Sequence, residues 1–181
     1  EAWTEELMRA YVGDELVDLL GVDVIVDLDR NGELWDFIQS QEFQGMPLED
    51  RLGGWLLKAR SIRDQEMICY HKQWSYFSRS FGVGCAFYVE PKPGIPPSPR
   101  HVARVINDVR DMNVPVLLAV SYYDQDQIRM VAERTGAHPV IVPMSVDGAP
   151  GTETFIDLMS LWVDQISNAF ASVSASHPAH H

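Results

Sequence analysis

The side chain with the clearest capacity for metal binding or proton transfer in this sequence is His71. It directly follows residues 66–70, a short apolar run typical of a buried strand, and it precedes a helical pattern. We therefore predict that its ring lies at the carboxyl edge of a sheet. A neutral imidazole there is a good zinc or manganese ligand and also a good general base. An ordinary hydrogen bond between the ring and a neighbouring loop is the structural alternative.

Carboxylates are expected at the same edge, and they come from Glu90, Asp124 and Asp147. Carboxylates beside an imidazole favour a divalent cation. Each also has a structural explanation: Asp124 suits a helix cap, Glu90 can hydrogen-bond the following loop, and Asp147 suits a turn before a glycine. No CxxC, HExxH or paired-histidine spacing completes a metal site in the chain. The ligand count therefore predicts half a site.

Motifs for catalysis are sparse. The sequence has no G-x-S-x-G elbow and no glycine-rich phosphate loop after a predicted strand. Cys69 lies two residues before His71 but inside a predicted buried strand, so we expect it in the core. Cys69 and Cys85 are the only two cysteines, too few for a disulfide framework. The cysteine count therefore does not indicate the cellular compartment of the protein. An enzyme using His71 as base with Glu90 or Asp124 remains an alternative.

The elements that must position these residues alternate regularly after residue 65. Strands are predicted at 66–70, 85–90, 115–120 and 139–142, and helices at 74–81, after Ser98, after Asp124 and from about 152 to 170. Strands that alternate with helices indicate βαβ units and a parallel sheet. Ligands of such sheets bind outside the carboxyl ends of the strands. The predicted fold is α/β, with a four-stranded parallel sheet flanked by helices and preceded by a helical region.

We predict three regions in the chain: a helical lead-in or linker over 1–64, an α/β lobe over 65–172 and a flexible tail over 173–181. The lead-in contains helical patterns, including one at 47–57, whereas residues 22–28 alternate like a strand and are left open. The tail holds three histidines that could bind metal loosely: His177, His180 and His181.

A proline-rich segment separates the second predicted strand from the following helix. Residues 90–99 contain five prolines. Proline fixes φ, so we predict a stiff connection, with a proline-rich ligand for a partner protein as the alternative.

Composition excludes several classes of protein. The chain has 14 Lys plus Arg against 26 Asp plus Glu, a net charge of −12. That excess of acid argues against a nucleic-acid or anionic-membrane partner. Hydrophobic residues make up 46% of the chain, which excludes global disorder, and no apolar run approaches the ~20 residues of a membrane span. There is neither an initiator Met nor a signal-like start, so we expect a mature chain with its signal peptide removed, or a fragment.

Two sequence blocks around these residues resemble the zinc/manganese substrate-binding proteins of bacterial ABC transporters. The first is Tyr-His-Lys-Gln-Trp-Ser-Tyr-Phe at 70–77, and the second runs through the prolines from 89 to 102. Later blocks at 131–137 and 142–148 agree in order and spacing. The resemblance covers about residues 47–170, and residues 1–46 look like the helical region that leads into this lobe in one subgroup.

The resemblance implies two α/β lobes joined by a long rigid helix, with one metal ion between them. In that family the amino-terminal lobe supplies two histidines, and the carboxyl-terminal lobe supplies one His or Glu after its first strand and one acidic residue after its last. His71 matches the third ligand. The fourth directly follows the strand in the family, where this chain has Pro143 and Met144, and Asp147 comes a few residues later. Asp147 is therefore the weaker of the two predicted ligands.

The implied function is non-catalytic: the carboxyl-terminal lobe of a periplasmic receptor that binds zinc or manganese and delivers it to an ABC transporter permease. No part of the sequence resembles the amino-terminal lobe, so the site is expected to be incomplete. We predict that this chain alone binds zinc weakly or not at all, unless a homodimer supplies a second half-site. No nucleic-acid partner and no membrane insertion are expected. An interaction module without metal binding and a small flavodoxin-like enzyme are the alternatives.

Overall fold

The computed structural model describes residues 2–90, 92 and 98–176. The chain divides into two compact units, with the division between Arg60 and Ser61, and a 3-10 turn at Arg60–Ile62 lies at the division. Most of the proline-rich segment predicted to be stiff lies outside the described residues, including the prolines at 91, 93, 96 and 97. The three tail histidines lie outside them as well.

The first unit is mainly helical. Its elements are α1 (Ala2–Val12), α2 (Asp14–Leu20), α3 (Val22–Asn31), α4 (Leu34–Ser40), the antiparallel strands β1 (Glu42–Phe43) and β2 (Met46–Pro47), a 3-10 turn at Leu48–Arg51, and α5 (Gly54–Ala59). The segment 22–28, left open by its alternation, is therefore helical. Within it Ile25 is fully buried while Asp23 and Asp27 are exposed, so the alternation in the sequence does not correspond to a strand with one buried face.

The prediction of one continuous helix over residues 47–57 is wrong. The chain there forms β2 and a 3-10 turn before α5 begins at Gly54. The interruption follows from a close approach of two backbones, because the Gly53 N–H donates to the Val12 carbonyl oxygen at 2.9 Å. A Cβ on Gly13 would lie 2.5 Å from the Gly53 Cα, so neither position has room for a side chain.

The second unit confirms the predicted α/β class. Its elements are β3 (Glu66–His71), α6 (Ser75–Phe81), β4 (Gly84–Glu90), α7 (Pro99–Met112), β5 (Val116–Val120), α8 (Gln125–Thr135), β6 (His138–Val142) and α9 (Phe155–Ser176). The four strands form one parallel sheet in the order β4-β3-β5-β6. The buried strands β3 and β5 form its centre and carry the core, which includes Ile68, Leu117 and Ala119.

The strand order places a topological switch point between β3 and β5. The connection from β3 leads outward to β4, and the chain then crosses back to β5 on the other side of β3. In open α/β sheets, ligands bind at the carboxyl ends of the strands beside such a point. His71 is the last residue of β3, so it lies at this position.

The helix ends of this unit follow the predicted local chemistry. Ser98 caps α7 by accepting from the His101 N–H at 3.2 Å. Asp124 caps α8 by accepting from the N–H groups of Asp126 and Gln127 at 3.0 and 3.3 Å. The capping role considered for Asp124 is therefore its observed role.

The last helix is longer than the sequence pattern indicates. α9 continues to Ser176, four residues into the segment 173–181 that was predicted as a tail. Buried Ala169 and Phe170 extend the apolar side of the helix, and the Ser172 and Ser174 hydroxyls donate to their carbonyl oxygens at 2.8 and 2.9 Å. No helix among the described residues combines the length and the apolarity needed to cross a membrane.

A disulfide joins Cys69 of β3 to Cys85 of β4, with their Cα atoms 5.5 Å apart. Cys69 is fully buried, as expected for a core residue. The low cysteine count gave no reason to expect the pair to be bonded, because the bond depends on β4 lying beside β3. The disulfide ties together the two strands that end at His71 and Glu90.

Candidate metal site

His71 and Glu90 lie side by side at the carboxyl edge of the sheet. They are the last residues of β3 and β4, and the parallel register pairs them directly. Both are buried, with 3% and 8% of their surface exposed. The His71 Nδ1 is 3.5 Å from the Glu90 Oε2. The register of two neighbouring strands therefore delivers one imidazole and one carboxylate to the same buried point.

Tyr123 covers the His71 ring. It follows β5 in the turn that leads to α8, and its ring stacks on the imidazole with 3.5 Å between centroids and 25° between planes. The Tyr123 hydroxyl oxygen accepts a hydrogen bond from the Tyr122 hydroxyl at 2.8 Å. Tyr70 packs against the imidazole as well, with 4.8 Å between centroids. One aromatic ring from β3 and one from the turn after β5 thus pack against the imidazole.

Burial determines the charge of His71. It lowers the pKa of the imidazole below its usual value, and the nearby Glu90 carboxylate only partly opposes this. The ring is therefore neutral at pH 7, which is the state that binds a metal ion. Neither ring nitrogen has a hydrogen-bond partner among the described residues, although both are buried. An unmet buried polar atom costs about 1–3 kcal/mol, so the ring is well suited to an added ligand.

The two tyrosines at the site are neutral phenols at pH 7. Burial and the hydrogen bond from Tyr122 raise the pKa of Tyr123 to about 12. Burial, with smaller contributions from Glu90 and Asp124, also raises the pKa of Tyr70, whose hydroxyl donates to Gln127 Oε1 at 3.1 Å. Neither phenol offers an anionic oxygen, so their role at this site is to pack around the imidazole.

The side chain of Asp147 is not grouped with those of His71 and Glu90. Its side chain is exposed, its φ is 58°, and its backbone N–H donates to the Thr152 carbonyl oxygen at 2.8 Å. Aspartate tolerates this left-handed conformation better than most residues, so Asp147 has the turn role considered for it. Within the part of the chain that the structure describes, no three His, Cys, Asp or Glu side chains are grouped so that they could hold a metal ion.

The start of the loop after β6 is anchored beside the loop after β3. The Gln73 Nε2 donates to the Met144 Sδ at 3.4 Å, and the Trp162 Nε1 donates to the Pro143 carbonyl oxygen at 2.8 Å. These are the positions at which the resemblance places an acidic ligand. Apolar residues therefore stand where the family has its fourth donor.

Sequence reasoning singled out His71 and considered Glu90, but it gave Tyr123 no role at the site. One signal was available, since Tyr123 follows a predicted buried strand and so belongs to the carboxyl edge of the sheet. Its contact with His71 was not predictable because it requires β5 to lie next to β3. Local sequence patterns do not give strand order.

Comparisons with known proteins agree with this fold. Residues 52–169 match the sequence profile of the ZnuA family, described as the periplasmic component A of the zinc-uptake complex. That family consists of substrate-binding transport proteins and is not an enzyme family. No curated protein is similar enough to the chain to count as a match.

Solved structures with the same fold include three metal-related proteins. The substrate-binding protein FpvC of Pseudomonas aeruginosa, in complex with Mn²⁺, is 16% identical, with a TM-score of 0.53 over 94% of this chain and 57% of FpvC. The laminin-binding protein Lmb of Streptococcus agalactiae, an adhesin with metal-transporting activity, is 19% identical, with a TM-score of 0.54 over 64% of this chain and 45% of Lmb. A Cd-bound periplasmic metal-binding protein of Candidatus Liberibacter asiaticus is 16% identical, with a TM-score of 0.53 over 91% and 56%.

These identities establish a shared fold, and the chain spans about half the length of each of the three proteins. The family assignment has separate support, because the profile match covers most of the chain and includes all four strands of the parallel sheet. The chain therefore belongs to the ZnuA family of metal-ion substrate-binding proteins.

Proposed function

We propose that this chain is the metal-binding carboxyl-terminal lobe of a periplasmic receptor, which takes zinc or manganese as cargo and passes it to an ABC transporter permease. The observation that carries the proposal is His71: a buried, neutral imidazole at the switch point of the sheet, with neither ring nitrogen hydrogen-bonded among the described residues. The family match supports the assignment, as do the Mn²⁺ complex of FpvC and the metal-transporting activity of Lmb.

The donor set fits such a cation but is incomplete. An imidazole nitrogen and a carboxylate oxygen are ligands that zinc and manganese both accept. His71 offers one donor, whereas a closed zinc site has four. Asp147 is the proposed acidic donor from the loop after β6, and it would have to turn inward from its exposed position to bind. We therefore propose weak binding by this chain alone.

In this proposal, the remaining metal ligands come from a second lobe or subunit that faces the carboxyl edge of the sheet. FpvC and Lmb are longer than this chain, which leaves room for a second lobe. The loops at this edge expose large apolar side chains, among them Tyr122 at 64% and Met144 at 41%. Exposed apolar surface beside a half-site is typical of an interface. A second lobe is the proposed partner, and a second copy of the chain is the alternative.

A periplasmic location is supported by the cysteine pair. The bond between Cys69 and Cys85 requires an oxidising compartment to form and persist, and the bacterial periplasm is one.

Titration calorimetry with Zn²⁺, and separately with Mn²⁺, tests the proposal on chelator-treated protein. We expect one weak site per chain, with a dissociation constant above the micromolar range, and we expect His71→Ala to abolish it. His138→Ala is the matched control, because that side chain is exposed at the start of β6 and its backbone N–H bond to the Pro115 carbonyl oxygen is retained.

Two further variants separate the competing sites. A chain ending at residue 176 lacks the three tail histidines and should keep the His71 site, whereas Asp147→Asn should weaken it further. Binding that survives His71→Ala and disappears on truncation would assign the metal to the tail. An absence of any binding at millimolar zinc would contradict the weak binding that we propose for this chain alone.

A further inference from the structure

We infer that Glu90 is the positioning residue of this site: its carboxylate fixes the neutral His71 ring as the Nδ1–H tautomer and leaves the Nε2 lone pair for a cation. The choice of tautomer follows from the metal-free geometry alone. Its consequence for cation affinity rests on the proposed function.

The geometry leaves little freedom to either side chain. His71 and Glu90 are paired in the register of β3 and β4, and the Cys69–Cys85 bond joins the same two strands. The Tyr123 ring, 3.5 Å away between centroids, fixes the plane of the imidazole. Nδ1 lies 3.5 Å from the Glu90 Oε2, so the two groups interact electrostatically although they are not hydrogen-bonded.

A neutral imidazole carries one N–H and one lone pair, and the carboxylate decides which nitrogen has which. A lone pair on Nδ1 would face the negative Oε2 in a buried, weakly screened position, and the two would repel. An N–H on Nδ1 directs its positive end at the same oxygen. The proton therefore resides on Nδ1, and Nε2 keeps its lone pair.

The free lone pair is the part of the ring that a cation would use. Nε2 is buried and has no hydrogen-bond donor among the described residues, so nothing there competes for it. A carboxylate beside the protonated ring nitrogen also makes the imidazole a better donor to a metal ion. Loss of such a carboxylate typically weakens metal affinity by about 10–100-fold.

Nitrogen-15 NMR of the imidazole ring tests the tautomer in metal-free protein at pH 7.5. The wild-type chain is expected to show a protonated Nδ1 and an unprotonated Nε2 at His71. Glu90→Ala should give a mixture of tautomers, while Glu90→Gln, whose amide oxygen still accepts, should keep the wild-type pattern. Glu133→Ala is the control because that carboxylate is exposed on α8. A wild-type ring protonated at Nε2, or a Glu90→Ala spectrum identical to wild type, would overturn the inference.

Zinc titration of the same proteins tests the consequence. Glu90→Ala should weaken the affinity by about 10–100-fold, Glu90→Gln by less, and Glu133→Ala not at all. If Glu90→Ala fails to fold, the wild-type tautomer and the Glu90→Gln titration still decide the question. An Nδ1–H ring in a chain that binds no zinc would defeat the proposed function alone. Zinc binding through His71 that is independent of Glu90 would defeat this inference alone.

Discussion

At the residue scale, burial distinguishes His71 from the other histidines of the described chain. His101 is half-buried, and its Nε2 contacts the Tyr88 carbonyl oxygen at 3.2 Å, so its ring already has a structural role. His138 is exposed at the start of β6. Among these three, only the His71 ring combines burial with two nitrogens that lack a hydrogen-bond partner in the described structure. Its environment accounts for its fitness as a ligand.

The lowered pKa of His71 makes stability depend on pH. Above pH 6.5, the usual value for this group, the ring is neutral in the folded and the unfolded chain. As the pH falls from 6.5 towards the folded-state pKa, the unfolded chain takes up a proton that the folded chain does not, so the free energy of unfolding decreases. Urea denaturation in EDTA from pH 8 to 5 should show this decrease in wild type. His71→Gln should lose part of it, and His138→Gln should keep it. Equal pH slopes for wild type and His71→Gln would refute the assignment.

Tyr123 keeps the pKa of His71 low by covering its ring. Tyr123→Ala should admit water to the imidazole and raise the pKa of His71 towards 6.5, as measured by an NMR titration of the ring. Loss of the stacked pair should also reduce the free energy of unfolding by about 1 kcal/mol. Tyr76→Ala is the control because that ring is 85% exposed on α6. An unchanged His71 titration in Tyr123→Ala would show that the strands alone bury the ring.

At the element scale, the local patterns were sufficient to predict the helices and strands of the second unit. Ser98 and Asp124 marked helix starts because their side chains can cap a helix, and Gly136 marked an end because it adopts a positive φ, here 79°. The break in the helix predicted at 47–57 could not be read locally, because it depends on Gly53 meeting Gly13, which lies between α1 and α2. The bond between Cys69 and Cys85 likewise depends on which strands are neighbours.

The disulfide should stabilise the sheet edge that carries the site. Cys69 and Cys85 are 16 residues apart, and closing a loop of this length stabilises the folded state by roughly 3 kcal/mol. Urea denaturation with and without reductant should therefore show a loss of about 3 kcal/mol in wild type. A Cys69→Ala, Cys85→Ala double variant should be insensitive to the reductant. A wild-type chain equally stable in both conditions would contradict the bond.

The glycine contact in the first unit makes a separate prediction. Gly13→Ala should reduce stability by about 2–4 kcal/mol, because it combines a positive φ of 92° with a Cβ 2.5 Å from the Gly53 Cα. Gly21→Ala is the matched control, since its φ is 80° but nothing lies within 4 Å of the added Cβ. Thermal unfolding of the two variants should separate the backbone strain from the clash. Equal destabilisation by both would remove the clash from the explanation.

At the scale of the whole molecule, the sequence indicated half a metal site, and this stays a prediction. His71 was predictable because a histidine that ends a buried strand must lie at the sheet edge. Its pairing with Glu90 in register, at 3.5 Å, required the three-dimensional order of the strands. Asp147 could not be placed from sequence, because its position depends on the turn that its backbone forms with Thr152.

The net charge of −12 is compatible with a cation as cargo but does not identify the site. Acidic residues occur throughout the chain, and many lie on its exposed surface, so bulk charge attracts cations without specificity. Specificity must come from an imidazole held in one orientation, and His71 is held by Glu90 and Tyr123. The proposed function therefore depends on these three residues more than on composition.

Paramagnetic broadening of the histidine ring signals by Mn²⁺ tests the central claim most directly, because it detects even a weak site and requires no variant. At less than one equivalent of Mn²⁺, the His71 signals should broaden before those of His101 and His138, and excess Zn²⁺ should restore them. Broadening that begins at His177, His180 and His181 while the His71 signals stay sharp would contradict the account.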